Sequence, residues 1–399
     1  MEYTFSKRMS GLRGSAIREI FKYAADPAVI SLAGGNPAPE LFPAKELALL
    51  ASEILSKEPV TALQYGITEG YSPLRDAVKA RLRTAESIGR DEDDLIIVSG
   101  GQQGIALSAK VLLNEGDTVL VEEPSFIGAT NAFRSYGAQL VGIPVEADGI
   151  DTEALEKALQ THPNTKLLYV IPTFQNPMGV TMSLAKRRRV YELARAYNVL
   201  ILEDNPYGEL TFDGVKMPTI KSMDEDGRVL YSGSFSKILA PGLRLGFLCA
   251  NRALLSRIVI AKQVSDVHTA LLPQLLAYEY LKQYDIDALI AQMRKTYAHK
   301  CNTMLTAMER YFPSDAGITY TRPRGGLFIW CDLGHGIDTL ALSPAAIEKK
   351  VVYVPGNTFM VDMDRPCSAL RLNYSTMSDE KIVEGIRRLG TVFDEALRR

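Results

Sequence analysis

Lys237 stands just behind Ser234 and Ser236, and a Pro241-Gly242 turn leads on to Arg244. A lysine amine forms a Schiff base with an aldehyde, and hydroxyls together with a guanidinium hold a phosphate. Pyridoxal phosphate carries both groups, so residues 232–246 have the chemistry to bind it. Read alone, the same segment is also a turn carrying a solvated lysine, as most lysines are. Further upstream, Asn176 precedes Pro177, and Asp204 is followed three residues later by Tyr207. By itself Asp204 is also a turn-capping aspartate, and Asn176 is also ordinary turn chemistry ahead of a proline.

The elements around these residues favour the chemical reading. Residues 167–171 and 199–202 are short apolar runs bounded by polar and turn residues, which suits buried strands of a parallel sheet. Open α/β sheets bind ligands beyond the carboxyl ends of their strands. Three strand ends then present Asn176, Asp204 with Tyr207, and Lys237 together. A fourth apolar run, 96–98, leads into Ser99-Gly100-Gly101-Gln102-Gln103-Gly104 and opens a helix. Backbone amides at such a helix start bind anions. The segment is neither a dinucleotide fingerprint nor a Walker loop, which disfavours a nucleotide.

Strands are expected at 96–98, 118–121, 139–144, 166–171, 199–202, 228–232 and 245–250, alternating with helices. The alternation predicts an α/β domain over 44–285 with a mostly parallel seven-stranded sheet. A smaller α+β domain is expected over 286–399, with a long helix from about 286 to 311. Its strands are expected at 318–321, 326–330, 351–354 and 369–373, and its last helix from about Ser378. Residues 1–43 read as an arm and a Gly/Pro-rich linker, with a short helix at 16–20 capped by Ser15.

The 399 residues are 46% hydrophobic and 23% charged, with a formal net charge of −2. That balance offers no basic face for nucleic acid. The run Lys186-Arg187-Arg188-Arg189 behind Ser183 reads as the solvated face of a helix. No stretch reaches the roughly 18–20 apolar residues of a membrane span. Cys249, Cys301, Cys331 and Cys367 show neither pairing nor metal-ligand spacing, so a reduced, cytoplasmic setting without a structural metal is expected.

Taken together and in this order, the Asn176-Pro, Asp204-x-x-Tyr207, Ser-x-Ser-Lys237 and Pro-Gly-x-Arg244 segments resemble the class I/II aminotransferases. These are pyridoxal-phosphate enzymes of fold type I. The resemblance runs from residues 31–37 to residues 371–375 and is strongest to the 2-aminoadipate and kynurenine aminotransferase branch. It implies an enzyme moving an amino group between an L-amino acid and a 2-oxo acid such as 2-oxoglutarate, by a ping-pong Schiff-base mechanism. The donor would be 2-aminoadipate or an aromatic or branched amino acid, with broad specificity.

The resemblance also implies roles. Lys237 would form the Schiff base and move the proton, and Asp204 would face the pyridine nitrogen. Asn176 and Tyr207 would reach the phenolic oxygen, and Phe126 would stack on the ring. Gly100, Gly101, Gln102, Ser234, Ser236 and Arg244 would hold the phosphate. Tyr65 would reach the phosphate of a neighbouring copy, which implies a homodimer with shared sites; the alternative is a buried structural tyrosine. Arg371 would bind the substrate α-carboxylate, near Gly35 and Asn176, although a charge between leucines in a half-buried strand usually faces solvent. Arg18 would reach a distal carboxylate, or is simply a solvated helix residue. The N-terminal segment would join the smaller domain.

Relatives often carry a hydroxyl residue where this chain has Gly101, and tyrosine where it has Phe126. The first departure leaves backbone amides as donors, and the second keeps the ring stack. A β-lyase of the same fold shares nearly all these residues and is the alternative activity. A decarboxylase is disfavoured, because many place histidine before the lysine, where this chain has Ser236, and several stack histidine where it has Phe126. A cofactor-sensing regulatory domain is disfavoured by the short stretch ahead of Gly34, which leaves no room for a DNA-binding module.

Overall fold

Strands whose two faces are both covered read as unbroken apolar runs, and they form the centre of this chain. The computed structural model describes residues 3–10, 12 and 26–398. Arg18 and the short helix expected at 16–20 lie outside the described residues. Among the described residues the strands are β1 (Ile30–Ser31), β2 (Asp93–Val98), β3 (Thr118–Glu123), β4 (Gln139–Glu146) and β5 (Gly149–Ile150). They continue as β6 (Thr165–Val170), β7 (Leu200–Asp204), β8 (Val229–Ser234) and β9 (Gly246–Asn251). The remainder are β10 (Thr319–Tyr320), β11 (Phe328–Asp332), β12 (Val351–Val352), β13 (Val354–Pro355) and β14 (Ala369–Asn373).

The large sheet has the order β2-β9-β8-β7-β6-β3-β4-β5. All seven strands expected from the sequence lie in it, and the two-residue β5 adds an edge. Successive side chains alternate between its faces. Val119, Val121, Leu167 and Leu202 enter one core, and Leu120, Leu168, Val170 and Ile201 enter another. Ile105 and Leu107 from the helix Gly101–Leu112 close the first face. Leu155 and Val190 from the helices Thr152–Thr161 and Leu184–Ala196 close the second.

Strand direction then decides where the loops meet. β3, β4, β6, β7 and β8 are parallel, and β9 is antiparallel to both β8 and β2. Hence β2, β3, β6, β7 and β8 all end on one edge of the sheet, and β9 begins there. Residues 99–102, Phe126, Asn176, Asp204 and Lys237 follow or close those ends, and Arg244 precedes β9.

A second sheet, β10-β11-β14-β13, is antiparallel, and β1 pairs in parallel with β12. The helix Ile286–Tyr311 starts at an Asp285 cap and the helix Asp379–Leu397 at a Ser378 cap. Ile290 and Met293 of the first share one core with Ile386 and Leu389 of the second. The segment 351–354 was expected as one strand. It is divided at Tyr353: β12 serves β1, and β13 serves β14.

The basic run 186–189 also departs from expectation. Arg187 is fully buried and donates to the carbonyls of Met182, Pro172 and Pro218 and to Thr173 Oγ1. Lys186 pairs with Glu146 and Asp148, and Arg189 with Glu156. Planar guanidinium geometry lets one arginine satisfy four acceptors, so the run braces the sheet rather than facing solvent alone.

Candidate active site

Lys237 follows β8 and is half-buried. Its Nζ donates to the Gly35 carbonyl at 2.8 Å, tying the strand end to the linker before Pro37. Burial lowers the amine to about 8, helped by the positive charges of Arg371 and Arg244. An amine so placed is neutral often enough near neutral pH to act as nucleophile or base.

Arg371 sits in β14 opposite Trp330 of β11 and is buried, not solvent-facing. Its Nη1 donates to Asn176 Oδ1 and its Nη2 to the Ala33 carbonyl, both at 2.8 Å. The guanidinium carbon lies 4.1 Å from the centre of the Phe328 ring and 5.0 Å from that of Phe359. Desolvated cation–π contacts of this kind contribute about 2 kcal/mol. The Nε–H nonetheless has no partner among the described residues, and burial lowers the group to about 10. A buried guanidinium with a free donor calls for an anion.

Asp204 is the last residue of β7 rather than part of the following loop, and its carboxylate is buried. Burial raises it to about 6, against the hydrogen bond from Tyr169 at 2.9 Å, which lowers it. In register, Asp204 pairs with Ser232 of β8, whose hydroxyl also lowers the carboxylate against its burial. Tyr207 is buried too; burial raises its hydroxyl, and its ring meets Phe328 edge-on at 5.7 Å. A Cβ at Gly35 would lie 3.3 Å from the Phe328 ring. Phe328 therefore links the Gly35, Tyr207 and Arg371 groups.

The turn after β2 completes the cluster. Gly100 has φ +79°, and a Cβ there would lie 2.6 Å from Arg244 Nη2, so only glycine admits the guanidinium against the backbone. Gly101 starts the helix Gly101–Leu112; a Cβ on it would lie 3.5 Å from Ser232 Oγ and 3.9 Å from Asp204 Oδ1. Ser234 Oγ accepts from the Ser236 amide at 3.1 Å, which folds the serine turn onto itself. Gln102 Nε2 donates to the Gly128 carbonyl at 2.7 Å, and Phe126 is the residue before the helix Ile127–Ser135. The loops after β2 and β3 are thereby joined.

Tyr65 stands apart. It is 81% exposed in the single chain, with its ring edge on to His268 at 5.8 Å. Sequence reasoning passed over Tyr169 and Phe328. A lone hydroxyl in the otherwise apolar run 167–171 was the available signal for Tyr169. Nothing local marked Phe328, because its role depends on the pairing of β11 with β14.

The fold is that of a fold-type I enzyme, and the chain belongs to the aminotransferase class I and II family, whose profile matches residues 27–389. It is an aminotransferase. It is 40% identical to an aromatic-amino-acid aminotransferase of Thermococcus litoralis, over 100% of this chain and 96% of that one. A kynurenine aminotransferase from Pyrococcus horikoshii superposes with a TM-score of 0.94 at 39% identity, covering 99% of this chain and 98% of that one. The α-aminoadipate aminotransferase of Thermus thermophilus, complexed with N-(5'-phosphopyridoxyl)-L-leucine, gives a TM-score of 0.90 at 38% identity, covering 99% and 98%.

Among the described residues no helix is long and apolar enough to cross a membrane, and no cluster of His, Cys, Asp or Glu is arranged to hold a metal.

Proposed function

We propose that this aminotransferase uses pyridoxal phosphate at the site around Lys237 and accepts a broad range of L-amino acids. Its range would include 2-aminoadipate, aromatic and branched substrates, with a 2-oxo acid such as 2-oxoglutarate as acceptor. One observation carries the reading: a lysine amine depressed to about 8 shares a site with a buried arginine whose Nε–H has no acceptor among the described residues. The residues fit the cofactor. Asp204 is a buried carboxylate that a cationic ring nitrogen would neutralise. The Gly100–Arg244 contact and the start of the helix Gly101–Leu112 suit a phosphate.

Bound there, pyridoxal phosphate supplies an aldehyde and an electron-withdrawing ring. Asp204 would hold negative charge at the ring nitrogen, and Asn176 and Tyr207 would address the phenolic oxygen. Phe126 would stack on the ring. The backbone at Gly100 and Gly101, with Gln102, Ser234, Ser236 and Arg244, would hold the phosphate. Arg371 fixes the substrate α-carboxylate, with Gly35 and Asn176 beside it, so the α-hydrogen is presented in one orientation. Lys237 Nζ would take that proton and hand it to the carbon that carried the aldehyde, across the intervening nitrogen. Arg18 is proposed to meet a distal carboxylate.

The division into 1–43, 44–285 and 286–399 is part of the same reading, with the β1–β12 pairing tying the linker to the smaller domain. A homodimer is proposed as well. Val60, Leu63, Tyr65, Ile67, Val264 and Val267 are all at least half exposed, and single copies rarely leave so much apolar surface bare. Tyr65 of the partner subunit would complete each phosphate site. Four free cysteines support a cytoplasmic setting.

The test is a half-reaction screen: cofactor absorbance is followed with single amino acids and no acceptor. An aminotransferase converts its cofactor once, with one equivalent of oxo acid and no ammonia. Continuous ammonia release without an acceptor would mean a lyase and overturn the reading.

A further inference from the structure

Lys262 lies within the helix Arg252–Asp266 and has none of its surface exposed. A buried ammonium is costly unless its donors are met. Here they are. Nζ donates to Gln103 Oε1, to both carboxylate oxygens of Asp266 and to Thr269 Oγ1, each at 2.9 Å.

All three partners converge on Ser99. Gln103 Oε1 accepts from the Ser99 amide at 2.8 Å. Ser99 Oγ donates to Asp266 Oδ2 at 3.2 Å and lies 3.2 Å from Thr269 Oγ1. Gln103 Nε2 closes the ring by donating to Asp266 Oδ2 at 2.6 Å. Ser99 immediately precedes Gly100, the residue against which Arg244 packs.

The backbone beside this cluster is strained. Val267 has φ +66° and ψ −61°, and the His268 amide donates to the Asp266 carbonyl at 2.7 Å. That is a γ-turn centred on a β-branched residue, a conformation such residues avoid. It persists only where its surroundings hold it. Asp266 and Thr269, on its two sides, are both tied to Lys262.

We infer that Lys262, with Asp266, Gln103 and Thr269, is a positioning device for the 99–101 turn and thereby sets how tightly a phosphate monoester is held there. The inference rests on the proposed role of that turn. Lys262 acts through Gln103 and Ser99, not by touching the phosphate.

The test uses the full chain freed of cofactor, as wild type, Lys262→Met and Asp266→Asn. Each is titrated with pyridoxal phosphate and, separately, with pyridoxal, which lacks the phosphate. Thermal melts of the cofactor-free proteins establish that each variant is folded. Where Lys262→Met does not fold, Asp266→Asn carries the comparison. The expected result is a rise of at least about tenfold in Kd for pyridoxal phosphate, with pyridoxal changing by less than about twofold. Equal changes for both ligands, or no change for either, would overturn the inference. A wild type that binds both ligands equally would overturn the phosphate role of the turn, and the inference with it.

Discussion

Arg371 Nη1 donates to Asn176 Oδ1 at 2.8 Å, so β14 of the smaller sheet is joined directly to the turn after β6 of the larger one. The substrate carboxylate and the cofactor ring are thus to be held by neighbouring groups. Arg371→Lys keeps the charge and loses the planar fork. Catalytic efficiency should fall by about 2–3 kcal/mol, to a similar extent for every amino acid tested. Steady-state kcat/KM over a substrate panel checks this; a loss confined to one side-chain type contradicts the assignment.

The Lys237 amine, held at about 8, predicts how cofactor is captured. The neutral amine is the reactive form, so uptake by cofactor-free protein should accelerate as pH rises through about 8 and then level off. Removing the nearby positive charge in Arg371→Gln stabilises the ammonium, so the inflection should move to higher pH. Stopped-flow absorbance across pH reads both. An inflection that stays in place means that the two groups do not sense each other.

Glu122, below the turn that carries Asn176, accepts from the Ile171 amide at 2.9 Å. Burial raises it from an ordinary 4.5 to about 8. Its folded-state value exceeds its unfolded one, so the folded protein binds the extra proton. The stability this confers is complete below about 4.5 and is lost as pH rises to about 8. Glu122→Gln should therefore melt increasingly above wild type across that window, by several degrees at its upper end on the order-of-magnitude scale of single-residue effects. Parallel melting curves from acid to alkaline pH would count against a protonated Glu122.

Sharing of sites between copies has its own signature. Lys237→Ala and Tyr65→Ala chains, each nearly inactive alone, should regain activity on mixing, because some hybrid sites carry both wild-type residues. Full activity of Tyr65→Ala alone would remove the argument for a shared site.

Much of this arrangement was legible in the chain. Apolar runs ending in Asp204, or leading to Asn176 and Lys237, announce strands with chemistry at their ends. Parallel packing then forces those ends together. What was hidden depended on pairing between distant segments. Arg371 was legible only through the resemblance, because a charge between leucines usually faces solvent; the β11–β14 pairing is what places it against Phe328. Arg187 looked like one of a solvated run, yet four carbonyl or hydroxyl acceptors lie within its reach in the fold. Tyr353 divides one apolar run between two sheets because β1 and β14 compete for its two ends. The Lys262 cluster was half hidden: Asp266 lies four residues away on the same helix, but Gln103 comes from 159 residues earlier in the chain.

The central claim is that Lys237 is the residue joined to the cofactor, and one measurement addresses it directly. Borohydride reduction of the holoenzyme, followed by peptide mass mapping, should place one phosphopyridoxyl group on Lys237, and Lys237→Ala should show none. A label on any other lysine, or an unchanged label in Lys237→Ala, would contradict the account.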